Sequence, residues 1–112
     1  MFQGMSTEQL KGHLDAMLLA VLEGGPTYGY AIAEALRERS GGAFDLPEGT
    51  IYPALHRLER SGAVTSEHIT VNGRQRRMYR LSRAGQASLR ERRAGWISFV
   101  AAVNGVLGAG TA

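Results

Sequence analysis

Apolar residues recur along this chain at two different periods, and the change from one to the other divides it. Leu10, Leu14, Met17, Leu18, Val21 and Leu22 fall at i, i+4, i+7, i+8, i+11 and i+12, the spacing of one buried helical stripe. Ser6 followed three residues later by Gln9 supplies a capping-box start for this first helix. Gly24-Gly25-Pro26 ends it, because glycine accepts the left-handed end conformation and proline cannot continue the hydrogen-bond ladder. A second helix is predicted from Thr27 as N-cap to about Arg39, with Ile32 and Leu36 inward and Gly41-Gly42 closing it. Pro47–Gly62 repeats the helical period, with Ile51, Leu55 and Leu58 at i, i+4 and i+7. Ala43–Leu46 is a short linker, so the second and third helices must cross steeply, as in a helix-turn-helix.

After Gly62 the period falls to two. Val64–Val71 and Gln75–Leu81 are β-compatible runs separated by Asn72-Gly73, the dipeptide of a two-residue type I′ hairpin. Alternation sends Arg77 to the face of Tyr79 and Leu81, and Arg76 to the face of Met78 and Arg80. Ser82 then caps a last helix through Leu107, in which Leu89, Trp96, Val100, Val103 and Leu107 are spaced by seven, four, three and four, as in a coiled-coil seam. The first helix already covers the small core, so Trp96, Ile97, Phe99 and Val100 would be left in water without a partner. Gly95 and Gly105 each lower helix propensity by about 1 kcal/mol relative to alanine. A homodimer is therefore expected, with Leu89, Trp96, Val100, Val103 and Leu107 at its interface. The expected organisation is a flexible leader at 1–5, a winged helix-turn-helix domain at 6–81, a dimerisation helix at 82–107 and a frayed tail at 108–112. The fold class is α+β, mainly α: three helices and a two-stranded wing followed by the dimerisation helix.

Composition narrows the function. A chain of 112 residues is expected to form one domain with a modest core. Its longest apolar run, Ala16–Leu22, is too short to span a bilayer, and the Met1 end lacks the basic and hydrophobic regions of a signal peptide. With no cysteine there is no disulfide framework and no thiolate site, which fits a cytoplasmic protein. Charge is divided unevenly: residues 1–56 carry 3 basic and 7 acidic side chains, and residues 57–112 carry 10 and 3. A basic half points to a polyanionic partner. His13, His56 and His68 sit on three different elements without metal-ligand spacing, and neither a phosphate loop nor a G-x-S-x-G pattern is present. No enzyme activity and no cofactor are expected.

The third helix carries the candidate chemistry. With Ile51 facing inward, Pro53, His56, Arg57 and Arg60 lie within about 60° of the opposite side, and Thr50 and Tyr52 flank them. Pro53 is tolerated because it stands close to the helix start, where few N–H bonds are lost. Beside this face the hairpin bears Arg74, Arg76, Arg77 and Arg80. A cationic helix next to a cationic ribbon is the winged-helix arrangement, with the helix in the major groove and the wing reaching phosphates or the minor groove. Tyr28 and Tyr30 open the second helix, where hydroxyls and free backbone N–H groups can meet a phosphate; Lys11 is a weaker backbone candidate. Each signal has a plainer explanation: a solvated helix face, an edge strand protected by charge, tyrosines in the core. A winged-helix module for protein–protein contact, without specific DNA binding, is the alternative function.

Together Tyr28-Gly29-Tyr30, Gly49-Thr50-Ile51-Tyr52-Pro53-Ala54-Leu55, Arg57-Leu58-Glu59, Gly62, Gly73-Arg74, Arg77, Tyr79, Leu81-Ser82 and Gly85 resemble the signature of the PadR family of transcriptional regulators, in register from about Leu10 to Leu89. The resemblance implies a winged-helix repressor that binds a palindromic double-stranded operator as a homodimer and is often released by a small molecule. The single helix after the wing resembles the short subfamily. By face and by this analogy, Thr50, Tyr52, Pro53, His56 and Arg57 are expected in the major groove, Arg74, Arg76 and Arg77 in the wing contact, and Tyr28, Tyr30 and Arg60 at the DNA backbone. Glu48 departs from the small polar residues of many relatives, and would repel phosphate or accept from a cytosine amino group. Trp96 has core packing as its default role. Near a dimer axis, two copies would line an apolar cleft for a flat aromatic effector.

Overall fold

The computed structural model describes Leu10 and residues 12–108. The expected leader, the Ser6–Gln9 capping box, Lys11 and residues 109–112 of the tail lie outside the described residues. The elements are α1 (Leu14–Glu23), β1 (Thr27–Tyr28), α2 (Gly29–Arg39), α3 (Glu48–Arg60), β2 (Val64–Val71), β3 (Arg74–Leu81) and α4 (Arg83–Leu107). None of the described helices is long and apolar enough to cross a membrane.

Two boundaries differ from the sequence expectation. The first helix does not run unbroken from Ser6: Gly12 takes φ +88°, in the left-handed region, and α1 starts at Leu14 behind an uncapped His13. Leu10 is still buried against the core, so the hydrophobic stripe continues across the break. Thr27 does not cap α2. Thr27 and Tyr28 instead form β1, which pairs with Tyr79 and Met78 of β3, and α2 begins at Gly29. A two-residue strand has no period to read, and its partner lies about fifty residues away along the chain.

The sheet order is β1-β3-β2, antiparallel throughout, with Val64 opposite Leu81 at the base of the wing and Val71 opposite Arg74 at its tip. Asn72 and Gly73 both take positive φ, 52° and 77°, which the predicted type I′ turn requires. The core gathers Leu14, Leu18, Leu19 and Leu22 of α1, Ile32 and Leu36 of α2, Ile51, Ala54, Leu55 and Leu58 of α3, and Val64, Tyr79 and Leu89. Burial of the Tyr79 phenol raises its pKa above the ordinary tyrosine value, with a further push from nearby Tyr52.

The base of the wing is tied to α4. The Ser82 hydroxyl accepts from the Gly85 N–H at 3.0 Å and donates to the Gly62 carbonyl at 2.6 Å, while the Ser82 N–H donates to the Ala63 carbonyl at 3.0 Å. Gly85 is needed there, because a Cβ would strike the Ala63 carbonyl and the Leu81 side chain. Farther along α4, Arg93 donates to both oxygens of Glu23 on α1, at 2.9 and 3.4 Å. That hydrogen bond lowers the Glu23 pKa and raises that of Arg93.

Candidate nucleic-acid interface

α3 presents the expected division of faces. Ile51, Ala54, Leu55 and Leu58 are buried, Pro53, His56, Arg57 and Arg60 are exposed, and Thr50 and Tyr52 are half-buried. Pro47 occupies the N-cap with extended backbone and Pro53 lies inside the helix. The outward face is free of carboxylate; Glu48 is exposed in the first turn, on the flank shared with Tyr52.

The structure gives several of the candidate side chains a partner within the fold. Tyr52 leans away from solvent, its ring and hydroxyl lying over Gly29 at the start of α2. Its ring therefore sits at the helix crossing while the residue stays half-buried on the flank of α3. Arg57 reaches Asp15 on α1, Nη2 to Oδ1 3.3 Å. Nothing in the sequence marked Asp15, since a lone acidic residue in the first turn of a helix reads as favourable to the helix dipole.

Arg77, expected in the wing contact, also has partners within the fold. Its Nη1 donates to the Ser66 hydroxyl at 2.7 Å, and that hydroxyl donates to Glu59 Oε2 at 2.6 Å. Nη2 lies 2.7 Å from His68 Nε2, so His68 presents an acceptor nitrogen to it. This relay runs from α3 to both strands of the wing and fixes the ribbon relative to the helix. Alternation had put Arg77 on the Tyr79 face, but it did not identify Ser66 and Glu59 as partners.

The outer face of the sheet bears the other arginines. Arg76 stands over Tyr28 and Tyr30, its guanidinium carbon 5.8 and 5.3 Å from their ring centroids, within cation–π range. The two rings are stacked, 6.0 Å apart and 7° from parallel. The short β1 strand is what brings Tyr28 to Arg76, so three candidates read separately in the sequence form one cluster. Arg80 pairs with Glu67 at 3.4 Å near the wing base. Arg74, at the tip, and Arg60, on α3, are exposed and make no ion pair among the described residues.

α4 leaves a second surface open. Trp96, Ile97, Phe99, Val106 and Leu107 are exposed, Trp96 by 49% and Leu107 by 70%. Val100 and Val103 are half-buried. Leu89 differs: at 3% exposure it belongs to the domain's own core, which corrects its assignment to an intermolecular seam. Between α1 and α4 lies an apolar groove of about 700 Å³, with Met17, Leu89, Trp96 and Phe99 in its walls and His13, Arg92 and Arg93 also lining it. The His13 ring meets Trp96 edge-on, centroids 4.9 Å apart.

A helix-turn-helix whose second helix turns a polar, cationic face outward, followed by a basic hairpin, defines a winged-helix DNA-binding protein. The model of the Transcriptional regulator PadR-like family matches residues 18–91, and the chain belongs to that family. It is 47% identical over 57 residues to a transcriptional regulator of Mycobacterium tuberculosis, covering 51% of this chain and 53% of that protein. A PadR family transcription regulator of Clostridium difficile superposes with a TM-score of 0.77 at 32% identity, covering 86% of this chain and 99% of the other. A transcriptional regulator from Clostridium thermocellum gives 0.81 at 26% identity, over 89% and 95% of the two chains.

Proposed function

We propose that the chain represses transcription as a cytoplasmic homodimer on a palindromic operator, with α3 in the major groove and the wing on the adjacent backbone. The observation that carries this reading is the carboxylate-free outward face of α3, Pro53, His56, Arg57 and Arg60, set beside a wing whose tip arginine is exposed and makes no ion pair among the described residues. Thr50, His56 and Arg57 read bases, with Pro53 in van der Waals contact and Tyr52 holding the helix in place. Arg74 meets phosphate directly. Tyr28, Tyr30 and Arg76 act together on the backbone, where the stacked phenols orient the guanidinium and add hydroxyl donors. Arg77 contributes by keeping the wing in register with α3, and Arg60 contacts the backbone.

Trp96, Val100, Val103 and Leu107 supply the dimer contact, and the exposed apolar side chains of α4 support that role. Two recognition helices placed about 34–36 Å apart would enter successive major grooves. The groove beside Trp96 has the size and apolar lining for a small flat aromatic effector that releases the operator. The test is fluorescence-anisotropy titration against the chain's own promoter fragment and a scrambled duplex across a salt series. Tighter promoter binding with a steep salt dependence supports the reading; equal weak binding to both duplexes overturns it in favour of an interaction module. Candidate aromatics are then scored by quenching of Trp96 fluorescence together with loss of promoter binding.

A further inference from the structure

We propose that Asp15 is a positioning residue for base readout, holding the Arg57 guanidinium in the pose from which it meets a guanine edge. The inference rests on the major-groove reading of α3. Arg57 lies about 60° around the helix from Arg60, at the edge of the outward face, from which its guanidinium reaches Asp15 on α1. A free arginine there would sample many rotamers, and ordering it costs up to about 2 kcal/mol. Asp15 removes part of that cost. Its carboxylate is 25% exposed on a helical turn flanked by buried Leu14 and Leu18, a rigid mount for a single contact to Nη2 at 3.3 Å.

The pairing leaves the readout capacity in place. A guanidinium has five N–H donors and Asp15 engages one nitrogen, so other donors remain for the two acceptors, O6 and N7, that guanine presents in the major groove. As a stabilising contact the pair is weak, because exposed ion pairs are worth only about 0–1 kcal/mol. A carboxylate beside a DNA-binding face also repels phosphates. Positioning Arg57 offsets that repulsion, in addition to the favourable interaction of Asp15 with the α1 dipole.

The rival role is competition, in which Asp15 withholds Arg57 from DNA. The two have opposite signatures. The full chain and its Asp15→Asn, Asp15→Glu and Arg57→Ala variants would each select from a randomised duplex library, followed by anisotropy titrations on the best site and its single-base variants. Thermal unfolding of each variant establishes that it is folded. The expected result is one guanine position whose preference disappears in Arg57→Ala, falls about threefold to fivefold in Asp15→Asn and is partly retained in Asp15→Glu, with preferences elsewhere in the site unchanged. Unchanged guanine preference in Asp15→Asn would overturn the inference, and tighter binding in that variant would overturn it in favour of competition. A wild-type selection that enriches no sequence would overturn the major-groove reading itself, and this inference with it.

Discussion

The Tyr52 ring lies against the backbone of Gly29, so closely that a methyl group at position 29 would fall on the ring and its hydroxyl. Two sequence motifs, Tyr28-Gly29-Tyr30 and Gly49-Thr50-Ile51-Tyr52-Pro53, are thus the two sides of one helix crossing. The crossing sets the angle at which α3 leaves the body of the protein. Gly29→Ala is expected to destabilise the fold by about 1–3 kcal/mol, the range for overpacking a filled site. Chemical denaturation measures it, and Tyr52→Leu in the Gly29→Ala background should recover part of the loss if the clash is the cause. Equal stability of Gly29→Ala and the wild type would mean that the crossing tolerates a wider spacing.

Arg74 and Arg77 should fail differently although both are wing arginines. Arg74 is exposed at the tip and makes no ion pair among the described residues, so Arg74→Ala should weaken binding to all duplexes alike and reduce the salt slope by roughly one, with stability unchanged. Arg77 closes the Glu59–Ser66–Arg77 relay, and its removal leaves the Ser66 hydroxyl oxygen without its guanidinium donor and the Glu59 carboxylate without the nearby positive charge. Arg77→Ala should therefore lower the unfolding free energy by about 1–3 kcal/mol as well as DNA affinity. Salt-series anisotropy paired with urea melts separates the two. An Arg77→Ala protein of wild-type stability would return that residue to the direct phosphate contacts.

The distinction between those arginines also marks what could be read from the sequence alone. Period and punctuation located α2, α3, the hairpin and α4, because Ile51, Leu55 and Leu58 define a stripe and Asn72-Gly73 defines a turn. The outward face of α3 followed from the same arithmetic. What escaped was set by non-local contact: β1 exists only because β3 pairs with it, and Tyr28 meets Arg76 only because β1 exists. Arg57 with Asp15 and Arg77 with Ser66 are of the same kind, long side chains choosing among partners that periodicity does not bring together. Leu89 was misassigned because a heptad spacing does not say whether the hydrophobic neighbour belongs to the same chain.

Tyr79 should govern the alkaline limb of stability. It is 3% exposed, and burial raises its pKa in the folded state above the unfolded value. The unfolded chain therefore releases the phenolic proton first as pH rises. Stability from the buried neutral phenol is complete below about pH 10 and is lost as pH climbs through the folded-state value. Tyr79→Phe removes this titration, so its stability should fall less steeply than that of the wild type between neutral pH and pH 11. Denaturant midpoints across that range are the measurement, and parallel curves for the two proteins would show that Tyr79 is not the group responsible.

Phe99 and Leu89 lie on the same helix, nearly three turns apart along α4, yet substitutions there should have opposite consequences. Phe99 is 56% exposed beside Trp96, with centroids 6.0 Å apart, whereas Leu89 is 3% exposed in the core. Leu89→Ala should cost about 2–5 kcal/mol of stability, the range for truncating a buried leucine. Phe99→Asp removes no core contact, so the winged helix should remain folded. A charge at the proposed dimer contact, however, must either be desolvated or prevent association. Phe99→Asp is therefore expected to sediment as a monomer where the wild type sediments as a dimer, and to lose operator affinity because the two half-sites are no longer bound by one linked molecule. Sedimentation velocity and operator titration on the same preparations decide the matter: a Phe99→Asp protein that stays dimeric would move the interface off this face of α4, and a monomeric variant with full operator affinity would mean that recognition needs only one copy.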